Sequence, residues 1–247
     1  MTISKTYDNA LDVLKQSFSG SECELWVDEV RNHFIPQPLR ILDIGIGTGE
    51  SIQKRLLQLS WNGYSADLHG LDPNLCVETV TRHVYDDAHL YKTRFEEATF
   101  SQTFDVVNAS QSIYYMQNIP AMLRKMTQLV QPGGMVTITL WSQHCSLYQL
   151  QRTVFGAGAT LVTAEQVAEQ LVQQHLLRDV KLVSCKGQLN LSRLRASEQG
   201  LDAILTIISR KFGDVFLIPQ YRAKLEKALL SLPDVAPRIN YMLVGQK

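Results

Sequence analysis

The 247-residue chain has no excess of charge of either sign: 24 Lys and Arg stand against 24 Asp and Glu, for a pI near 7.0. A nucleic-acid binder ordinarily carries a basic surplus to offset phosphate charge, so this balance counts against such a partner. Cysteine is scarce. Cys23, Cys76, Cys145 and Cys185 form no CxxC pair, no histidine cluster has metal-ligand spacing in sequence, and no metal is expected. The six histidines read as structural or surface residues. Long apolar runs are missing too: stretches such as Met135–Trp141 fall far short of the roughly 20 residues that span a bilayer. The start, Met1-Thr2-Ile3-Ser4-Lys5, lacks the apolar core of a signal peptide, which leads to the expectation of a soluble cytoplasmic protein with no membrane partner. Internal repeats and low-complexity tracts are absent as well. The remainder, 45% apolar and 19% charged, is the profile of a folded globular chain long enough to bury a sizeable core.

Two helical patterns come first, over 7–18 and 22–34, the second ended by Ile35-Pro36-Gln37-Pro38 because proline disfavours the α conformation in the residue before it. From Leu39 the pattern alternates. Strands are expected at 39–44, 66–71, 89–95, 104–109 and 135–141, with helices at 51–59, from Asn74, and at 118–130 behind an Asn118 N-cap. Pro132-Gly133-Gly134 stops that last helix. A helix near 163–175, a strand at 180–185, helices at 198–212 and 219–230, and a strand at 239–244 complete the chain. Strand and helix in alternation mean βαβ units, so the expected fold is a doubly wound, mostly parallel α/β sheet. It carries N-terminal helices and a helical insertion before the last strand. The expected organisation is a single domain over 1–247: a helical cover at 1–36, a cofactor-binding core at 39–187, a helical substrate cover at 188–237 and the last strand at 238–247.

The most informative segment is Ile41-Leu42-Asp43-Ile44-Gly45-Ile46-Gly47-Thr48-Gly49-Glu50. An apolar strand runs into a turn with glycine at alternate positions, where the backbone turns tightly and a ligand approaches without a Cβ in the way. The dinucleotide fingerprint is GxGxxG, with a pyrophosphate on the helix N-terminus. Here the spacing is GxGxG, flanked by Asp43 and Glu50. Carboxylates at that place repel a pyrophosphate and suit a ligand with a cationic amino group, such as S-adenosylmethionine. About two dozen residues on, His69-Gly70-Leu71-Asp72-Pro73-Asn74 ends the second strand in an acid, placed to accept both hydroxyls of a ribose. Asp72 also reads as the start of an Asp-Pro turn, and both roles can hold at once.

In these residues the chain resembles the class I S-adenosylmethionine-dependent methyltransferases, over roughly Leu39 to Trp141. The resemblance implies S-adenosylmethionine as cofactor, held by Gly45, Gly47, Thr48, Gly49 and Glu50 at its methionine end and by Asp72 and Pro73 at its ribose. It sets Glu96 and Ala98 beside the adenine, and Ser110 and Gln111 between cofactor and substrate. A narrower likeness links Ser110-Gln111-Ser112-Ile113-Tyr114-Tyr115-Met116-Gln117-Asn118-Ile119-Pro120 to the histamine N-methyltransferases. It implies that Gln111 and Tyr115 line an amine pocket and that Glu22 anchors a cationic end of the substrate. The glycine turn is less glycine-rich than theirs and the chain is shorter. Tyr7, on the first helix, is a candidate lid residue.

The reaction expected is methyl transfer to a small molecule by in-line displacement, on the nitrogen of an amine or imidazole. The alternatives are a small-molecule O-methyltransferase, acting on a hydroxyl or carboxylate, and a methyltransferase fold that binds without turnover. DNA-base methyltransferases carry an Asn/Asp-Pro-Pro-aromatic run where this chain has Asn108-Ala109-Ser110-Gln111. Dehydrogenases prefer GxGxxG and have no use for Glu50.

Overall fold

The computed structural model describes residues 3–84, 87–156, 158, 161–209 and 219–247, and of residues 3–8 and 219 the backbone alone. Eight strands form one mixed sheet in the order β1-β7-β8-β6-β5-β2-β3-β4: β1 (Phe18–Gly20), β2 (Pro38–Ile44), β3 (Ser65–Leu71), β4 (His89–Tyr91), β5 (Phe104–Ser110), β6 (Val130–Trp141), β7 (Arg178–Asn190) and β8 (Val235–Gln246). Helices α1 (Ile3–Lys15), α2 (Glu22–His33), α3 (Glu50–Trp61), α4 (Val77–Val80), α5 (Ile119–Leu129), α6 (Ser146–Phe155), α7 (Ala164–Gln173), α8 (Leu191–Arg195), α9 (Glu198–Ile208) and α10 (Pro219–Leu230) connect them. The chain divides into two compact units.

The larger unit comprises Glu22–Leu140, Ala164–Val183 and Tyr241–Lys247. Its central strands are buried on both faces, as in parallel sheets, so β2, β5 and the second half of β6 read as mostly apolar runs. β2 pairs with β3 in parallel from Pro38↔Ser65 to Ile44↔Leu71, and with β5 from Ile41↔Val106 to Asp43↔Asn108. After β2 the chain runs outward through β3 and β4, then returns to the other side of β2 as β5. The strand order therefore reverses between β2 and β5, and in such sheets ligands bind outside the carboxyl ends of the strands at that point.

Register also builds a buried polar ladder. Asp43, Asn108 and Thr137 are successive partners on β2, β5 and β6. The Asn108 amide donates to Asp43 at 2.5 Å, and the Thr137 hydroxyl donates to Asn108 at 2.8 Å. The fully buried Trp26 of α2 completes the ladder, its indole N–H donating to Thr137 at 2.9 Å. Arg55 of α3, also buried, lies 5.2 Å from the Trp26 ring centroid. Each polar group thus enters the core with a partner, without which it would cost about 1–3 kcal/mol.

The smaller unit comprises Met1–Ser21, Trp141–Thr163 and Ser184–Asn240. Here α1 packs on α9, and α10 packs on α6 and α9, around Leu14, Leu150, Val154, Ile204, Ile208, Leu225 and Leu229. β1 pairs antiparallel with β7, Phe18 opposite Leu189.

Several elements differ from the sequence expectation. The segment 18–20, expected to end a helix and break the chain, is a strand, because β7 offers it a paired edge. Helices α6 and α8 were not anticipated. The strand expected over 89–95 stops at Tyr91. Pro132-Gly133-Gly134 does not stop α5, which ends at Leu129; it forms a bulge inside β6, between the register pairs Phe104↔Val130 and Val106↔Met135. Asn118 does cap α5, accepting from the Ala121 amide at 3.1 Å.

Candidate functional site

The glycine turn follows β2 directly and stands at the switch point. Gly45, Gly47 and Gly49 have φ of 79°, 57° and 83°, the left-handed region that side chains disfavour. The amides of Gly45 and Ile46 donate to the Leu71 carbonyl at 2.8 and 3.1 Å, which ties the turn to the end of β3. The three glycines differ in what a side chain would meet. At Gly45 a Cβ would collide with Ser112, whose hydroxyl donates to the Ile44 carbonyl at 2.6 Å; at Gly49 it would crowd Val80 and Val84. At Gly47 it would meet nothing within 4 Å, so this backbone faces open space.

Asp72 leaves β3 beside that opening. Its carboxylate accepts from the Gly47 amide at 3.3 Å and from the Asn74 amide at 2.8 Å. The second bond is the Asp-Pro turn of Asp72-Pro73-Asn74, so the turn and the reach toward the glycine loop coexist. Burial raises the Asp72 carboxyl above its ordinary range, while the Asn74 and Gly47 amides pull it back down. Thr48 is half-buried in the turn, and Glu50 opens α3 in an ion pair with Lys54 at 2.9 Å.

Across the switch, β5 ends in Ser110, and Gln111 follows with φ of 56°, unusual for a residue with a side chain. Its amide donates to the Thr139 carbonyl at 2.9 Å. Both polar atoms of its side chain are buried without a hydrogen-bond partner. A buried, unsatisfied carboxamide on a left-handed backbone is the pairing of strain and unmet polarity expected where a ligand completes the structure. Tyr114 is buried, whereas Tyr115 is 49% exposed, so the adjacent tyrosines divide into core and surface.

The 95–98 loop is held by a residue that sequence reasoning missed. The Lys125 ammonium of α5 donates to the carbonyls of Phe95, Ala98 and Glu96 at 2.5, 2.6 and 3.2 Å, and lies 4.8 Å from the Phe95 ring centroid. Burial holds its pKa below the usual lysine range, against the pull of Glu96. Glu96 in turn accepts from the Gln117 amide at 3.2 Å, and Ala98 is buried. A lone lysine on an amphipathic helix gives no sequence signal of this role. Glu22 is half-buried in the first turn of α2. Tyr7 lies on α1, and its side chain is outside the described residues. A concavity of about 380 Å³ lined by Asp28, Arg31, Phe34 and Tyr64 lies at the amino ends of β2 and β3, opposite the glycine turn.

A doubly wound sheet with a three-glycine turn at its switch point, tied to an acid just past the next strand, defines a Rossmann-like protein with a candidate nucleotide-type site at that point. Residues 19–186 match the family model described as a methyltransferase domain, so the chain belongs to that family, with the Rossmann-like fold of the class I S-adenosylmethionine-dependent methyltransferases. Among curated proteins, it is 28% identical over 116 residues to the ubiquinone biosynthesis O-methyltransferase of Rhodopseudomonas palustris (strain BisB5). That match covers 45% of this chain and 44% of the relative, so less than half the relative's length is spanned. Among solved structures, the YcgJ protein of Bacillus subtilis is similar with a TM-score of 0.59 at 11% identity, over 91% of this chain and 97% of that one. Phosphoethanolamine N-methyltransferase 2 of Haemonchus contortus, solved with S-adenosyl-L-methionine, gives 0.54 at 17% identity, over 90% and 51%. At these identities the likeness is one of fold.

Proposed function

We propose that this chain methylates a small molecule on an amine or imidazole nitrogen, with the acceptor held against Gln111. S-adenosylmethionine supplies an electrophilic methyl group on a sulfonium. The residues present suit it. The open backbone at Gly47 leaves room for its methionine end, and Asp72 is a carboxylate placed for its ribose hydroxyls. The Lys125-tied carbonyl loop at 95–98 borders the place for its adenine.

The observation that carries the nitrogen reading is the Gln111 carboxamide, buried with neither polar atom paired. An amide oxygen accepts an N–H and so aims the nitrogen lone pair, but it cannot take a proton at neutral pH. A neutral amine attacks without losing a proton first, whereas a hydroxyl needs a base to become a comparable nucleophile. Holding the acceptor in line and excluding water then does most of the chemistry. Tyr115, by the likeness of 110–120 to the histamine N-methyltransferases, and Glu22, by the glutamate in their N-terminal helical region, are the further residues assigned to the acceptor. Oxygen methylation is the second reading, favoured by the curated O-methyltransferase relative.

The test has two arms. Calorimetric titration with S-adenosylhomocysteine should give binding that Asp72→Ala weakens by about 1–3 kcal/mol, the loss of a charged hydrogen-bond partner. Turnover on a panel of amines, phenols and acids, with the methylated atom located by mass spectrometry, should place the methyl on nitrogen. Recovery on oxygen alone would overturn the nitrogen reading and leave the methyltransferase intact. Cofactor binding without turnover would support a binding protein.

A further inference from the structure

Three side chains of metal-ligating type, Asp67 and His69 within β3 and His89 at the start of β4, meet away from the glycine turn. Asp67 and His69 are two apart on β3 and so leave the same face of the sheet. His89 is the register partner of His69 on β4, which puts its side chain beside them. One ligand atom from each of the three lies within 4.8 Å of the other two. Asp67 Oδ1 is 3.3 Å from His69 Nε2 and 3.6 Å from His89 Nε2. Five residues of strand separate Asp67 from Asp72, about 16 Å, so this cluster is distinct from the cofactor site.

We propose that Asp67, His69 and His89 form a site for a divalent transition metal of the zinc class, clamping the short edge strand β4 to β3. Tetrahedral zinc with bonds of about 2.0–2.2 Å sets its ligand atoms about 3.3–3.6 Å apart, which is the spacing of the carboxylate oxygen from the two imidazole nitrogens. Two nitrogens and one oxygen are donors of the borderline type that zinc takes.

The supporting groups are also in place. His69 is 4% exposed, and its Nδ1 lies 2.9 Å from the Tyr91 hydroxyl, a partner that fixes the ring with Nε2 toward Asp67. The Gln102 amide, 2.9 Å from His69 Nε2, presents its oxygen to the same point once the amide is turned over. The other carboxylate oxygen of Asp67 accepts from Arg40 Nε at 3.2 Å, which orients the group and, as a neighbouring positive charge, moderates the affinity. His89 and Asp67 are 56% and 45% exposed, so an ion can enter. The two imidazoles stack with centroids 4.4 Å apart, which holds the two rings side by side on the sheet face.

Metal-stripped, tag-free protein titrated calorimetrically with zinc chloride should bind one equivalent, and cobalt chloride should give the visible absorption of a four-coordinate ion. His89→Ala should weaken zinc binding at least tenfold and abolish the rise in melting temperature that zinc produces. His144→Ala, at an exposed histidine elsewhere, should change neither. Because His89 is exposed, its variant keeps the metal-free melting temperature; Asp67→Asn, which preserves shape, serves as the second test. Zinc binding at wild-type affinity in both variants, or no binding by the parent protein, overturns the proposal.

Discussion

Replacing Gly47 by alanine adds one methyl group at a backbone φ of 57°, where nothing lies within 4 Å of the new Cβ. The left-handed backbone costs an L-residue about 1–2 kcal/mol. No contact in the fold adds to that cost. For a chain of this length it corresponds to a fall of about 2–8 °C in melting temperature. The methyl group projects into the space assigned to the cofactor, where overpacking costs about 1–3 kcal/mol, or roughly a 5- to 150-fold loss of affinity. Gly45→Ala is the contrast: its Cβ collides with Ser112, which is tied to Ile44, so the same methyl group adds steric strain to the folded state itself. Thermal melts and calorimetry with S-adenosylhomocysteine, run on both variants, separate the two effects. Gly47→Ala should lose affinity with a modest change in melting temperature, and Gly45→Ala should lose melting temperature first. Wild-type affinity in Gly47→Ala would refute the placement of the ligand.

Two further perturbations address the groups around the turn. Burial raises the Asp43 carboxyl, opposed by Arg55 and the Asn108 amide, so the folded state keeps that proton to higher pH than the unfolded chain. Its contribution to stability is therefore present at acid pH and lost as pH rises above the ordinary carboxylate range. Asp43→Asn keeps an acceptor for Asn108 and should flatten the pH dependence of urea-unfolding free energy above the ordinary carboxylate range; an unchanged slope would exclude Asp43 as its source. Lys125→Met keeps the stem but removes the ammonium that donates to Phe95, Glu96 and Ala98. Water can replace part of that bonding, so the expected loss is about 1 kcal/mol, with faster amide hydrogen exchange over 95–98 and weaker cofactor binding. Exchange at the wild-type rate would show that the loop is held by other contacts.

The α/β alternation was legible because a central parallel strand is buried on both faces and is therefore mostly apolar, as in Leu39–Ile44 and Phe104–Ala109. The glycine turn was legible for a related reason: positive φ at Gly45, Gly47 and Gly49 restricts residue choice locally. β1 was not, since three residues become a strand only when a distant edge, here Leu189 of β7, offers hydrogen bonds. The role of Lys125 was hidden because its partners are backbone carbonyls about thirty residues away, which carry no residue identity. Gln111 was marked by its place after the fourth strand of the alternating core, but its strain and its unpaired carboxamide are properties of the packed state.

The histidines draw the boundary most clearly. Read along the chain, no two have the spacing of a metal site. Parallel register sets His69 opposite His89, and the two-residue period of the strand sets Asp67 on the same face. Sequence by itself determined the core parallel strands, the turn and the acid after the second of them, because those follow from local backbone geometry and burial. Only the tertiary structure decided which polar groups meet across strands, since register is a property of the pair and not of either strand alone.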